Sequence, residues 1–371
     1  MPLKCIDNQR EIFSFDFESD EDWNALRLRN KATNSLRMPC CGAAVVLRTS
    51  KLGTKHFAHA RRGPCLTAPE SAEHLLAKRI IVEGIARAQW HAAPEQSGET
   101  PDVGAWKADV LASKGIAKVA FEVQWSRQTL DETLRRQERY RAAGVRGLWL
   151  FRQPDFPVEK EIPAFRLAYD ELRKVFFVGL PSSEYDPEYL TNSRRDDPNF
   201  WQQTIELSEF VEGTLSGSLK FAPPVGATLP VEVVGAYTSC WKCRKETGIV
   251  TELLFRASQV FESCPDISIS LETLGHPIPD GEQIVKELLP SDRLRQLGVG
   301  EVKPRYSKTQ ERSYLSNGCV HCDALQGQFF EYQVANEQRT LFETEAEFRA
   351  EWVRHLEDHG INVNRWWFDA R

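Results

Sequence analysis

Two short apolar runs, Lys107–Ala112 and Val119–Gln124, carry acidic and amide side chains among residues that otherwise read as buried strands. Side chains alternate along a strand, so Glu122 and Gln124 point together while Val119, Phe121 and Val123 point the other way. A turn at Lys114-Gly115 would place Asp109 opposite Ala120, one diagonal step from Glu122 and on the same face. Two carboxylates brought together between apolar strands repel each other and are costly to desolvate. A divalent cation removes that cost and brings the means for phosphate chemistry.

The flanking elements narrow the fold. A helix is predicted from about Pro69 to Ala88, with Ala72, Leu75, Leu76, Val82 and Ala86 on one side and Glu70, Glu73, His74 and Ala77 on the other. His91 to Val103, rich in Pro, Gly and Glu, reads as a loop into the hairpin. Ser126 is the expected cap of a second helix, with Leu130, Leu134 and Gln137 inward, Tyr140 close by and Gly144 at its end. Val145 to Phe151 then reads as a buried strand. Strand, helix, strand at this spacing is a parallel crossover, so the core is an α/β layer, with a further strand expected near Lys174 to Leu180.

At 371 residues, two or three domains are expected. No apolar stretch is long enough to span a bilayer, and the first residues lack the apolar core of a signal peptide, so a soluble, cytoplasmic protein without membrane contact is expected. The net charge of −6 does not favour a polyanion overall. Arg127, Arg135, Arg136 and Arg139 nevertheless concentrate positive charge after the hairpin, as a local nucleic-acid surface would. A solvated helix face would look the same.

In order along the chain, Cys41-Gly42, His56-Phe-Ala-His59, Glu70-Ser-Ala-Glu-His74 with Lys78, Lys107-Ala-Asp109-Val110, Phe121-Glu-Val-Gln-Trp-Ser126 and Tyr140 form a pattern. Over roughly residues 35 to 155 it resembles the competence protein CoiA-like branch of the PD-(D/E)XK nuclease superfamily. The resemblance implies a nuclease-like fold, action on DNA, and a role in recombination, competence or defence against foreign DNA such as phage. Asp109 and Glu122 would hold Mg²⁺ or Mn²⁺, and Gln124 would position water or phosphate, since an amide cannot act as a general base. Glu70 or Glu73 would be an accessory acid, and His74 and Lys78 would support the site or contact phosphate. An ordinary hairpin with exposed acids is the competing reading.

Nine cysteines in a reducing compartment point to free thiols or metal ligands. Cys240-Trp-Lys-Cys243 and Cys319-Val-His-Cys322 are the ligand set of a structural zinc ribbon, interrupted by an insertion around Leu271 to Arg312, with His321 a bystander. Near the N-terminus, Cys41, His59 and Cys65 with His56 or Cys40 form a second candidate zinc group. It is weakened because Met38-Pro39-Cys40-Cys41 replaces the Cys-Pro-x-Cys pair that the family commonly has.

The expected organisation is a Cys/His-rich element (1–68), a PD-(D/E)XK-like α/β domain (69–180), a linker and helix (181–228) and a zinc-ribbon module (229–371). The helix falls near Phe200 to Val211, and strands begin near Leu229 to Val234. A last helix is expected from Glu345 to His359, with Trp366, Trp367 and Phe368 packing in a core or over the ribbon. The leading function is metal-dependent hydrolysis of a DNA phosphodiester. The alternatives are a catalytically inactive DNA-binding or recombination-accessory protein of the same fold, and a thiol redox protein. The C-terminal module is also a candidate contact for a protein partner.

Overall fold

The computed structural model describes residues 2–61, 65, 70–101, 103–153, 161–180, 203–261, 264, 266–271, 274, 281–334, 336–350 and 365–369. It divides into two compact units: the described residues up to Lys220 with Phe368 and Asp369, and those from Phe221 to Trp367. Together they form a mixed α/β structure with a Cys/His cluster near the N-terminus and a Cys cluster in the C-terminal part.

The first unit opens with β1 (Lys4–Asp7), β2 (Arg10–Phe13), α1 (Asp20–Thr33), β3 (Leu36–Arg37), β4 (Val45–Thr49) and β5 (Lys55–His59). Trp23 of α1 packs on Phe57, and Leu36, Met38 and Val45 complete a small core. The buried Asn30 amide satisfies both the Val45 carbonyl and the Leu36 N–H, tying the helix to the strands.

Next come α2 (Ala72–Arg87), β6 (His91–Thr100), β7 (Gly104–Lys114), β8 (Ala117–Gln124), α3 (Leu130–Ala142), β9 (Arg146–Phe151), β10 (Ala164–Asp170), β11 (Val175–Leu180), β12 (Gln203–Glu206) and α4 (Leu207–Ser216). Among the described residues they build a seven-stranded sheet in the order β12-β11-β10-β9-β8-β7-β6. The β8–β9 pairing is parallel, with α3 between the two strands in sequence, as the crossover pattern predicts. Ala120 to Val123 are all buried, which requires cover on both faces of the sheet. Glu122 is therefore buried along with its apolar neighbours.

Four expectations are corrected. His91–Thr100 is the edge strand β6 rather than a loop. An edge tolerates Pro94, and Gly98 leaves room for the Trp106 ring, which a Cβ would meet at 2.2 Å. The hairpin turn is Gly115-Ile116 between paired Lys114 and Ala117, so Leu111, not Asp109, faces Ala120. α3 is capped by Thr129 rather than Ser126, and it buries Thr133 and Tyr140 while Leu130 and Leu134 stay exposed. On α2, Ala77 belongs to the buried side.

In the second unit, strand Thr228–Ser239 pairs with Glu246–Phe255 and Arg339–Glu347, and Ile267–Ser270 extends that sheet. A smaller sheet joins Val302–Ser307, Arg312–Gly318 and Leu325–Gln326. Buried Asn317 bonds both the N–H and the carbonyl of Val250, at 2.8 and 2.7 Å, between the two sheets. The expected helix near 200–211 starts later, at Leu207, after a short strand, and Glu345–Glu347 lie in a strand rather than a helix. Residues 181–202 and 351–364, where the linker and most of the last helix are expected, lie outside the described residues. Trp366 packs edge-on against Phe221, and Phe368 stacks on Phe210, so these rings serve packing. Among the described residues no helix is long and apolar enough to cross a membrane.

Candidate functional site

Strand register sets three acids in one row. Pro94 and Gln96 of β6 pair with Val110 and Ala108 of β7, which leaves Glu95 across from Asp109. Val110 pairs with Phe121 of β8, so Asp109 is next in line with Glu122. Glu95 takes a left-handed backbone, φ 48°, at the edge-strand end of this row. Such a row is held only if each charge finds a partner.

The helices supply the partners. Ser71 caps α2 by accepting the His74 N–H, and the next turns present His74 and Lys78 to the row. His74 Nε2 lies 3.3 Å from Asp109 Oδ2, which also accepts the Val123 N–H at 3.0 Å. Lys78 is fully buried and meets Glu95, Glu70 at 3.3 Å and Asp109 at 3.9 Å. Burial opposes its charge, but Glu70, Glu95 and Asp109 outweigh that and raise its pKa. Burial likewise works against the Asp109 anion, and His74 and Lys78 reverse the balance and hold its pKa well below the usual carboxylate range.

Glu122 is held differently. From α3, Tyr140 donates to Oε1 and Arg136 Nη2 sits 2.5 Å from Oε2. The carboxylate is 1% exposed, and burial lifts its pKa to about 7 despite Arg136, with the Asp109 charge adding to the rise. Gln137 of the same helix accepts from the Trp149 indole and donates to the Glu161 carbonyl. The polar face of α3, not its leucines, is what the sheet receives.

Glu70, Glu95, Asp109, Arg135, Arg136 and Arg139 help line one cleft of about 760 Å³, with Trp106 and Tyr140 in its wall. The expected residues divide accordingly. Asp109, Glu70, His74 and Lys78 come together, while Glu122, the neighbour of Asp109 in the row, is engaged by Arg136 and Tyr140 from α3. Glu73 turns away to pair with Lys51 at 2.6 Å. Gln124 folds back to the Ser126 carbonyl at 2.9 Å, and exposed Arg127 is not in the cleft wall. Glu95 was hidden because Pro94 and Gly98 made its strand read as a loop.

A divalent cation shared by Asp109 and Glu122 does not fit this arrangement. Both Glu122 oxygens are engaged by α3, and no three ligand atoms of these acids converge among the described residues. Lys78 and Arg136 supply the positive charge that a metal would bring.

Residues 70–174 match the family model for the competence protein CoiA, nuclease-like domain. The match supports the competence protein CoiA-like family. This segment is similar to the CoiA nuclease-like domain. It runs from Glu70, through α2, the acidic row and α3, to the turn before β11. No curated protein and no solved structure matches the chain.

Outside the matched segment, two clusters have the ligands for zinc. In the second unit the four thiols of Cys240, Cys243, Cys319 and Cys322 converge, with Cys240–Cys322 at 3.7 Å and Cys243–Cys319 at 3.6 Å. Tetrahedral ligands at the usual Zn–S length of about 2.3 Å lie about 3.8 Å apart, so the set fits the ion. The two turns repeat each other. In each, the N–H of the fifth residue returns to the first Cys carbonyl, and that fifth residue, Arg244 or Asp323, is left-handed. Burial raises the Cys240 thiol, but the N–H groups of Cys243 and Lys242 more than offset it and bring it to about 6. His321 bonds the Glu246 carbonyl and stands outside the set.

In the first unit Cys40, Cys41, His59 and Cys65 converge, with Cys41–His59 at 3.2 Å and Cys40–Cys65 at 3.3 Å. Cys40 thus fills the place left by the missing first cysteine of the family pair. His56 is excluded: it is buried on the Thr54 carbonyl, and burial lowers its pKa.

Proposed function

We propose that the CoiA nuclease-like domain binds DNA in the cleft that α3 forms with β6 and β7, and that with Glu122 held by Arg136 and Tyr140 it does so without cutting. Arg135 and Arg139 on the rim supply phosphate contacts, and the buried acids beneath are already neutralised by Lys78, His74 and Arg136. The engagement of both Glu122 oxygens is the observation that carries this reading. It favours a DNA-binding accessory role in recombination, competence or defence. Helix, antiparallel strands, helix and parallel strand, with acids on adjacent strands, support a PD-(D/E)XK-like core. We also take the two thiol clusters as structural zinc sites.

Phosphodiester hydrolysis with Mg²⁺ or Mn²⁺ is the second reading. One observation favours it beyond the family match: Glu95 Oε2 is buried without a hydrogen-bond partner, beside Asp109 and in the cleft wall. Cutting would require Arg136 to leave Glu122. The full chain should bind duplex DNA, lose that binding as Arg135→Ala/Arg139→Ala, and leave the DNA intact with either cation. Cutting by the wild type that Asp109→Ala abolishes would overturn the non-cutting reading in favour of hydrolysis.

A further inference from the structure

A groove of about 800 Å³ in the second unit is floored by aromatic rings that the fold leaves open. Trp241, Tyr306, Phe329 and Tyr332 are 50%, 62%, 67% and 71% exposed, far more than packing would leave them. They are held rather than loose. The Trp241 N–H donates to the Leu325 carbonyl, and Phe330 supports Phe329 edge-on at 5.9 Å. Trp241 stands inside the first Cys-x-x-Cys turn, so the thiol cluster that anchors this turn also sets the indole.

Lys308 is the charged residue among those lining the groove, while Glu311 and Glu331 stand beside lining residues in sequence and Glu331 accepts from Asn317. Lys242, Arg244 and Lys245 follow Trp241 in the chain, Arg312 lies near Lys308 in sequence, and all five cations are exposed. Exposed flat rings beside exposed cations suit a chain of bases joined by phosphates. Each base offers a face for stacking, and each phosphate a partner for an ammonium or guanidinium group. A duplex keeps its bases stacked on each other and cannot use the rings.

We propose that this groove binds single-stranded DNA, with bases stacked on Tyr306, Phe329, Tyr332 and Trp241 and the backbone tracked by Lys308 and Lys242. This surface lies on a different unit from the cleft and does not depend on it. Its test is fluorescence anisotropy of a labelled 20-nucleotide oligo-dT, with the full chain in an Arg135→Ala/Arg139→Ala background that disables the cleft. Adding Tyr306→Ala, Phe329→Ala and Tyr332→Ala should weaken binding at least tenfold with zinc content and melting temperature retained. Lys308→Glu alone should weaken it severalfold and steepen no other property. An abasic strand of equal length should bind weakly and ignore the aromatic changes. Unchanged oligo-dT affinity in both the triple variant and Lys308→Glu, or equal affinity for the abasic strand, would overturn the proposal whatever the cleft does. A peptide-binding groove would give that result.

Discussion

Glu122 and Lys78 show how far a charged residue can be drawn into this sheet, and at what stability. The Glu122 carboxyl has a pKa of about 7, against an ordinary 4.5. The native chain therefore keeps a proton there that the unfolded chain releases, and stability declines as pH rises from the unfolded to the folded value. His74, whose pKa is raised chiefly by Asp109 against the pull of burial, adds stability that is lost only as pH rises through its own folded value, above 6.5. Asp109 does the reverse, being lost as pH falls below its unfolded value near 3.8. Between pH 5 and 6 the Glu122 effect stands clear of both. Wild type should lose about 1 kcal/mol more than Glu122→Gln across that unit, measured by urea midpoints, and parallel profiles would refute the burial assignment. Lys78 gives the complementary case. Lys78→Met leaves Glu70, Glu95 and Asp109 facing one another without their shared cation and should cost about 3–5 kcal/mol. Adding Glu95→Gln should recover part of that loss. A double variant no more stable than Lys78→Met would mean that the deficit is one of packing.

At the scale of elements, α3 must lie close to β9, and Gly147 permits it. A Cβ at Gly147 would stand 2.2 Å from Gln137 Oε1 and 3.2 Å from the Tyr140 ring. Gly147→Ala should therefore displace the side chain that holds the Trp149 indole and loosen Tyr140 from Glu122, at about 1–3 kcal/mol in urea unfolding. An unchanged Trp emission spectrum and midpoint would show that the helix has room to shift. The same elements show what period and punctuation reveal. The hairpin, its acids and the crossover were legible because side-chain alternation and the Gly144 stop are local signals. Three things were not. The turn lies one residue beyond the expected one, since Lys114-Gly115 and Gly115-Ile116 differ only in which pair closes the strands, yet that shift decides whether Asp109 faces Ala120 or Glu122. β6 does not read as a strand because Pro94 and Gly98 are tolerated at an edge for reasons that only its neighbours supply. The inward face of α3 is hidden in the sequence because its leucines carry the apolar signal of a core yet stay exposed. Arg136 and Tyr140 are drawn in by Glu122, a partner 14 and 18 residues away.

Over the whole molecule, positive charge is spent twice in the same manner: buried bases neutralise acids in the first unit, and a cation is called for by thiols in each unit. The second of these separates a metal-held fold from a thiol redox protein. Cys240 and Cys322 are 82 residues apart, so the cluster closes a long loop, and an ion there should contribute several kcal/mol to the second unit. The four thiols meet at one point rather than as two bonded pairs, and none of the nine cysteines is in a disulfide. Elemental analysis of the purified chain should find two zinc ions. Cys319→Ser should remove one and lower the melting temperature of the second unit. Cys41→Ser should remove the other and leave that transition in place. In the wild type a thiol reagent should modify Cys243 and Cys322 only after a chelator strips the metal, since a coordinated thiolate is a poor nucleophile. Rapid modification of a metal-free protein that melts at the same temperature with and without chelator would refute the zinc assignment and revive the redox reading. One zinc rather than two, retained in Cys41→Ser, would confine the metal to the second unit and leave Cys40, Cys41, His59 and Cys65 as an unmetallated cluster.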